Sequence, residues 1–402
     1  MNNEKREIAI GIVSLVIITS IISFAISAFI FSSKALSMDL LVSPKVTTFD
    51  TEKINKVKKY LDKYFLWGTS DQKLTEGAID GMTDILSDPY TAYLNEKEYE
   101  DLTTETRGSY AGIGIVVTAD EKDDSVIVVS PIEDTPGEKA GILPGDKIIK
   151  VDGKEVKGSE LDKAVAMMKG VEGTKVTLTI QRKGIKDPFI REITRANIVL
   201  KTIKYKTLNN NIGYIRISMF DEKTSEDFIK AYDSLAKAKV KGLIIDVRDN
   251  PGGLLDEVVD IADRLVPKGI IVYTLDKNKS KRTWESDSMQ AEMPMVLLVN
   301  GSSASASEIL AGALKDHKKA VLVGTKTFGK GVVQDVIDLK DGTALKVTIS
   351  EYFTPKGTSI QGKGIVPDTV VELPQNYKSS LQVDEKQDTQ LIKALEILKT
   401  KK

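Results

Sequence analysis

The chain begins with one long apolar run and then breaks into short periodic segments. Ile8 to Ser33 is 26 residues without a charge, dominated by Ile, Val, Ala, Phe and Ser. At 1.5 Å per residue such a helix crosses a hydrocarbon core of about 30 Å with some tilt. A cleaved signal peptide has a shorter apolar region, about 7–15 residues, and a small-residue cleavage site. Neither is evident, so the run predicts an uncleaved single-pass anchor. Lys5 and Arg6 precede it and Lys34 follows. That balance favours the short end inside the cell membrane and the remainder on the extracytoplasmic side.

Beyond the anchor, Ile54, Val57, Leu61 and Phe65 share one helical face. Leu74, Ile79, Met82 and Ile85 suggest a second helix, stopped by Ser87-Asp88-Pro89-Tyr90. At Gly108 the period changes. Ile113–Val117, Val126–Val129, Lys147–Val151 and Val176–Ile180 read as strands between Gly/Pro turns such as Pro144-Gly145-Asp146, with one short helix at Leu161–Met168. From Ile212 a third pattern begins. Apolar strands at Gly213–Ile217, Gly242–Val247, Met295–Val299 and Ala320–Val323 alternate with helical stretches at 225–238, 253–265 and 305–315. Such alternation predicts an α/β domain on a largely parallel sheet, with further strands at 332–337 and 344–349. The Lys-rich helix at 384–402 carries Leu391, Ile392, Leu395 and Leu398, a face suited to a partner surface or second subunit.

Composition narrows the chemistry. Lys and Arg number 57 against 58 Asp and Glu, so no global basic field points to nucleic acid. The absence of cysteine excludes disulfides, thiolate zinc sites, iron–sulfur clusters and cysteine nucleophiles. The single histidine, His317, would have to serve any serine triad. It lies in the polar stretch Lys-Asp-His-Lys-Lys, about three turns along the helix that begins at the serines, and reads as an exposed surface residue.

Asn300-Gly301-Ser302-Ser303-Ala304-Ser305-Ala306-Ser307-Glu308 follows an apolar strand and opens an apolar helix. Unpaired N–H groups and partial positive charge at a helix start suit an oxyanion, although alone the segment is equally a Ser-rich cap. With His317 out of reach, the remaining common base is a lysine deprotonated by burial. Lys330, in Phe328-Gly329-Lys330-Gly331-Val332-Val333-Gln334, is flanked by glycines and apolar residues. Gln334, four residues on, falls on the same face of an extended segment and could orient the amine. In Asp246-Val247-Arg248-Asp249-Asn250-Pro251-Gly252-Gly253 a buried strand ends in a turn, where α/β sites gather.

Together these segments resemble the carboxyl-terminal processing proteases, Ser-Lys peptidases of the tail-specific type in family S41. Gly213-Tyr214-Ile215-Arg216-Ile217 belongs to the same pattern, and order and spacing agree. The resemblance implies that Ser305 is the nucleophile, Lys330 the general base and Gln334 its support. It puts the oxyanion hole at the N–H of Ala306 and of Gly252 or Gly253, and needs no metal or organic cofactor. The module resembles a PDZ domain. Gly112-Ile113-Gly114-Ile115 matches its carboxylate-binding loop, beside a helix that forms the other groove wall. Relatives often carry Arg where this chain has Lys169, which keeps the charge but loses the planar fork.

The expected architecture is therefore multidomain α/β. It comprises a cytoplasmic stub and transmembrane helix (1–34), a helical region (35–105), a β-rich PDZ module (106–190), an α/β protease domain (191–375) and a helical tail (376–402). The expected function is a membrane-anchored serine endopeptidase acting on unfolded or extended proteins with apolar carboxyl termini. The amphipathic faces at 50–86 and 384–402 suggest a homodimer. A peptide-binding protein without activity, or a tethered scaffold, would share the PDZ match but have no need of Ser305, Lys330 and Gln334.

Overall fold

The computed structural model describes residues 49–120, 122–287, 291–374 and 385–400. The anchor expected at Ile8–Ser33 lies outside them, and among the described residues no helix is long and apolar enough to cross a membrane. The chain divides between Gly77 and Ala78 into two units. In the first, the expected helix forms over Thr51–Tyr64, and the Asp50 carboxylate accepts the Lys53 N–H at 2.9 Å as an N-cap. Its apolar face is exposed, with Ile54, Val57 and Tyr60 among the exposed side chains. A second helix, Asp71–Asp84, runs across the boundary between the units.

In the second unit a third helix, Glu96–Arg107, follows a three-residue strand, Ala92–Leu94. Asn95 and Glu98 form a capping box at its start, and Gly108, at φ 62°, ends it in the left-handed region.

The β-rich module is a sheet in the order Ile115–Asp120, Ser125–Pro131, Lys147–Val151, Lys175–Gln181, Phe189–Thr194. Val176, Leu178 and Ile180 alternate inward and pack with Val126, Val128, Ile148 and Val151 against Ala164 and Met168 of the helix Leu161–Met168. The strand expected at Ile113–Val117 is interrupted. Gly114 turns the chain at φ 73°, and the residues before it, Ser109–Gly112, pair instead with Ala196–Val199. Ile115–Asp120 is left at the sheet edge.

The α/β domain has a six-stranded sheet in the order Ile203–Leu208, Ile212–Ile217, Leu243–Asp246, Met295–Val299, Ala320–Gly324, Thr369–Val370. The first pair is antiparallel and the rest parallel, with Ile215, Ile245, Leu297 and Leu322 in one register. On one face these residues pack under the helices Thr224–Lys237, Leu255–Leu265 and Ala306–Asp316. On the other, Ile244, Val296, Leu298 and Val323 are covered by Leu391, Ala394, Leu395 and Leu398 of the helix Thr389–Thr400. The apolar face read as a partner surface is thus used within the chain, because a parallel sheet must be covered on both sides.

A second sheet joins Val332–Asp338 and Ala344–Phe353 to the hairpin Gly269–Asp276/Lys281–Ser286 and to Ala92–Leu94. The first strand of the hairpin carries the apolar run Ile270-Ile271-Val272-Tyr273, which the sequence reading passed over; the second lacks such a run, because Lys281, Arg282 and Thr283 face solvent.

Candidate active site

The helix Ala306–Asp316 starts from a residue that few side chains tolerate. Ser305 has φ 52° and ψ −115°, a conformation that costs about 1–3 kcal/mol for a residue with a Cβ. Several contacts hold it there. The Ser305 N–H donates to Glu308 Oε2 at 3.0 Å, and its carbonyl lies 3.0 Å from the Tyr352 hydroxyl. Gly252 backs against it so closely that a Cβ at that position would sit 2.8 Å from Ser305 Cβ. The flanking serines have other duties. Ser303 and Ser307 are buried and donate to the carbonyls of Val247 (2.8 Å) and Asn250 (3.0 Å), tying the serine segment to the turn at 247–253.

That turn is itself pinned. Asn250 Oδ1 accepts the Gly252 N–H at 2.8 Å, and Asn250 Nδ2 donates to the Ile217 carbonyl. Gly252 and Gly253 both have positive φ, 110° and 137°. Gly252 O and the Leu254 N–H pair with Phe220, so the Gly253 N–H faces away from that pairing and meets no acceptor among the described residues. A Cβ on Gly253 would lie 2.1 Å from the Phe220 carbonyl oxygen. The Ala306 N–H, in the first turn of its helix, likewise has no backbone partner among the described residues.

Lys330 precedes the strand Val332–Asp338 and is half-buried. Ser305, Ala306, Gly252, Gly253, Lys330 and Gln334 all line one cleft of about 790 Å³. Burial pushes the Lys330 pKa below the ordinary lysine value, the Lys346 charge pushes the same way, and Asp88 partly opposes them. The amine makes no hydrogen bond or ion pair among the described residues; it lies over the Tyr90 ring, 4.9 Å from the centroid. The expected Gln334–Lys330 hydrogen bond is not formed. A register shift between Val333 and Gln334 breaks the simple alternation that would have aligned them, and Gln334 Nε2 is buried without a partner.

Glu308 organises the site from beneath. Its fully buried carboxylate accepts from the Ser305 N–H, from Thr327 Oγ1 (2.6 Å), and from the N–H groups of Gly329 and Lys330, both at 2.8 Å. Burial raises its pKa against the opposing pull of those four donors. The Tyr352 hydroxyl also lies in hydrogen-bonding reach of the Lys330 carbonyl. One carboxylate and one phenol therefore fix the serine and lysine segments to each other. In the sequence Glu308 stood out only as the last letter of a motif; its spacing three residues after Ser305 matches a capping box and was the available signal. Tyr352 and Tyr90 had none. His317 is half-buried rather than exposed. It caps the far end of the helix with Nε2 2.8 Å from the Ile270 carbonyl, roughly 18 Å along the axis from Ser305.

In the β-rich module the carbonyls of Ile113 and Gly114 accept from Gly137, Ile132 and Thr135, and Ile113 is buried in the module core. The N–H groups of Ile113 and Gly114 meet no acceptor among the described residues. Gly112 ends the preceding strand and Ile115 begins the edge strand. Lys169 follows the helix Leu161–Met168; its amine is 3.6 Å from Asp101 of the helix Glu96–Arg107 and lies over the Tyr110 ring. The buried Arg195 donates to the carbonyls of Met167 (2.8 Å) and Met168 (3.1 Å) at the end of the same helix.

Comparison with known proteins identifies the family. The sequence model of peptidase family S41 matches residues 211–371, that of a PDZ domain matches 127–182, and that of the activating protease CtpB N-terminal domain matches 17–98. A carboxy-terminal-processing protease of Bartonella bacilliformis is 45% identical over 77% of this chain and 72% of its own length. The carboxy-terminal processing protease CtpA of Bacillus subtilis is 37% identical over 90% of this chain and 78% of its own length. A solved Bacteroides fragilis structure described as an S41 protease shares the fold, with a TM-score of 0.53 at 17% identity over 89% of this chain and 99% of that one. With a serine held at a strained helix start beside a half-buried lysine, and with these relatives spanning most of its length, the chain belongs to peptidase family S41 and is a carboxy-terminal processing serine protease with a PDZ domain.

Proposed function

We propose that this protease uses Ser305 as nucleophile and Lys330 as general base. The observation that carries the reading is their shared cleft: a serine at a helix N-terminus opposite a lysine whose charged form burial disfavours. As Ser305 Oγ bonds to the scissile carbonyl carbon, its proton passes to the lone pair of Lys330 Nζ and the C=O electron pair moves onto oxygen. The N–H groups of Ala306 and Gly253 receive that oxyanion. Gly252 is the weaker candidate, because its N–H is already given to Asn250. Collapse expels the amine, which takes the proton back from Lys330, and water then releases the acyl group by the same relay. Gln334 supports Lys330 by accepting an amine N–H at its Oε1, and its unpartnered Nε2 donates to a substrate carbonyl once the cleft is filled.

The PDZ loop Gly112–Ile115 receives the carboxyl terminus of an extended, apolar tail, and Lys169 adds positive charge at the end of the neighbouring helix. The apolar run Ile8–Ser33 anchors the chain in the cell membrane with the catalytic domain on the extracytoplasmic side. The exposed apolar faces of the first two helices pair two copies into a homodimer. No metal or organic cofactor takes part in this chemistry.

The test incubates the detergent-solubilised full chain with an unfolded protein ending in apolar residues, beside Ser305→Ala and Lys330→Ala. Cleavage by the parent alone, weakened when the substrate tail is made charged, is the expected result. Equal cleavage by all three proteins would sink the assignment.

A further inference from the structure

We propose that Tyr90 is a positioning residue of the reaction, its ring face holding the Lys330 side chain and stabilising the ammonium that forms as Ser305 gives up its proton. The inference rests on the reading of Lys330 as the base. It concerns a residue that lies far ahead of the 211–371 peptidase region in sequence.

The amine sits 4.9 Å from the Tyr90 ring centroid, inside the roughly 6 Å range in which a cation is drawn to an aromatic face. The segment that carries the ring is firmly placed. The Tyr90 N–H and the Thr91 hydroxyl donate to Asp88 at 3.1 and 2.6 Å. The Thr348 N–H donates to Thr91 Oγ1 at 3.0 Å, and Ala92–Leu94 pairs antiparallel with Ala344–Lys346. The segment is thus bolted to the strand that also supplies Tyr352, whose hydroxyl reaches the Lys330 carbonyl. The contact that the ring makes in the site is with the lysine amine.

The charged and titratable groups around the amine explain why an aromatic face is useful here. Lys346, from the strand Ala344–Phe353, opposes the ammonium, and Asp88, from the same turn as Tyr90, favours it. Glu308 faces the Lys330 backbone through its N–H, and Tyr352 faces the carbonyl. A carboxylate in contact would keep the amine protonated and useless as a base. A purely aliphatic wall would make the ammonium costly to form. A ring face lies between these extremes: it attracts the ammonium without a full opposing charge.

The sign of the effect follows. The ring favours the ammonium over the amine, so removing it lowers the Lys330 pKa and moves the acid limb of kcat/KM to lower pH. The experiment measures kcat and KM against pH for the solubilised full chain, with an unfolded apolar-tailed protein as substrate. The variants are Tyr90→Phe, Tyr90→Leu, Asp88→Asn and Lys330→Ala. Tyr90→Phe keeps the ring and should keep the parental limb. Tyr90→Leu should move the limb down by about one pH unit and lower kcat severalfold at unchanged KM. Asp88→Asn should move the limb in the same direction. A parental limb in Tyr90→Leu, or equal displacement in Tyr90→Phe and Tyr90→Leu, would overturn the proposal. If Tyr90→Leu does not fold, Tyr90→Met takes its place, and an unmoved limb in that variant overturns the proposal. An active Lys330→Ala would remove the base reading itself; an inactive Lys330→Ala with unmoved Tyr90 and Asp88 limbs would remove this inference alone.

Discussion

Glu308 shows how much of this site depends on a residue with no direct part in bond making. Its two oxygens collect the Ser305, Gly329 and Lys330 N–H groups and the Thr327 hydroxyl. In Glu308→Gln one oxygen becomes an NH₂ group that faces donors. Hydrogen bonds to a charged group contribute about 1.5–3 kcal/mol, so kcat should fall by roughly ten- to a hundredfold at nearly constant KM, as steady-state kinetics would show. Lys330 carries the opposite kind of cost. Burial depresses its pKa below the ordinary 10.5, which penalises the native state while the unfolded chain keeps its proton. Between the lowered pKa and 10.5 the unfolded state therefore binds more protons, and stability rises with pH. Below the lowered pKa the penalty is constant. Lys330→Met should remove that slope and raise Tm by roughly 2–4 °C per kcal/mol relieved, while abolishing activity. A melting curve against pH that keeps the parental slope would contradict this account.

The elements matter through how they end. The strand Leu243–Asp246 runs into the turn 247–253, and the strand Met295–Val299 runs into the serine segment; parallel pairing puts both exits at the same edge of the sheet. Sites form beyond carboxyl ends of strands for this reason. The two turn glycines are not equivalent. A Cβ on Gly253 meets the Phe220 backbone at 2.1 Å, whereas one on Gly252 meets Ser305 Cβ at 2.8 Å. Gly253→Ala should therefore lose the larger share of stability in denaturant titrations. Gly252→Ala should fold but lose most of its activity, because the new methyl displaces the nucleophile. At this scale the sequence was informative about the parallel-sheet strands and helices, whose apolar runs are long and bounded by turn residues. The strands Lys281–Ser286 and Ala92–Leu94 were not read from it: the first is mostly solvent-facing, the second is three residues long, and both are held by a partner strand.

At the scale of the whole molecule, a buried ionic network joins the last helix to the catalytic turn. Arg248 donates to both oxygens of Asp246 and, through Nη1, to Asp388 at 3.1 Å and Gln390 at 3.0 Å. Arg216 and Tyr214 complete the surround of Asp246. Burial would raise the Asp246 pKa, but the two guanidiniums and the phenol override it and hold the carboxylate ionised. Removing one partner from a buried pair costs about 3–5 kcal/mol, since the other charge stays behind. Asp388→Ala should destabilise by about that much in a denaturant titration. It should also lower activity, because Arg248 opens the turn that carries Gly252 and Gly253. A substitution at so remote a position that left both quantities unchanged would show that the turn stands without the tail.

By itself the sequence determined the succession of helical, β-rich and α/β regions. Periodicity and turn residues are local properties, and they also marked the serine segment 302–307 and the glycine-flanked Lys330 as candidates; the choice of Ser305 among the serines came from the family resemblance. The sequence could not decide how Lys330 is held. The alternation argument favoured Gln334, yet the register shift in that strand leaves the amine over Tyr90, 240 residues earlier in the chain. The burial of the last helix on its own sheet and the four-donor cradle of Glu308 were equally invisible. Each depends on contacts between distant segments, which only the packing of sheets and helices brings together.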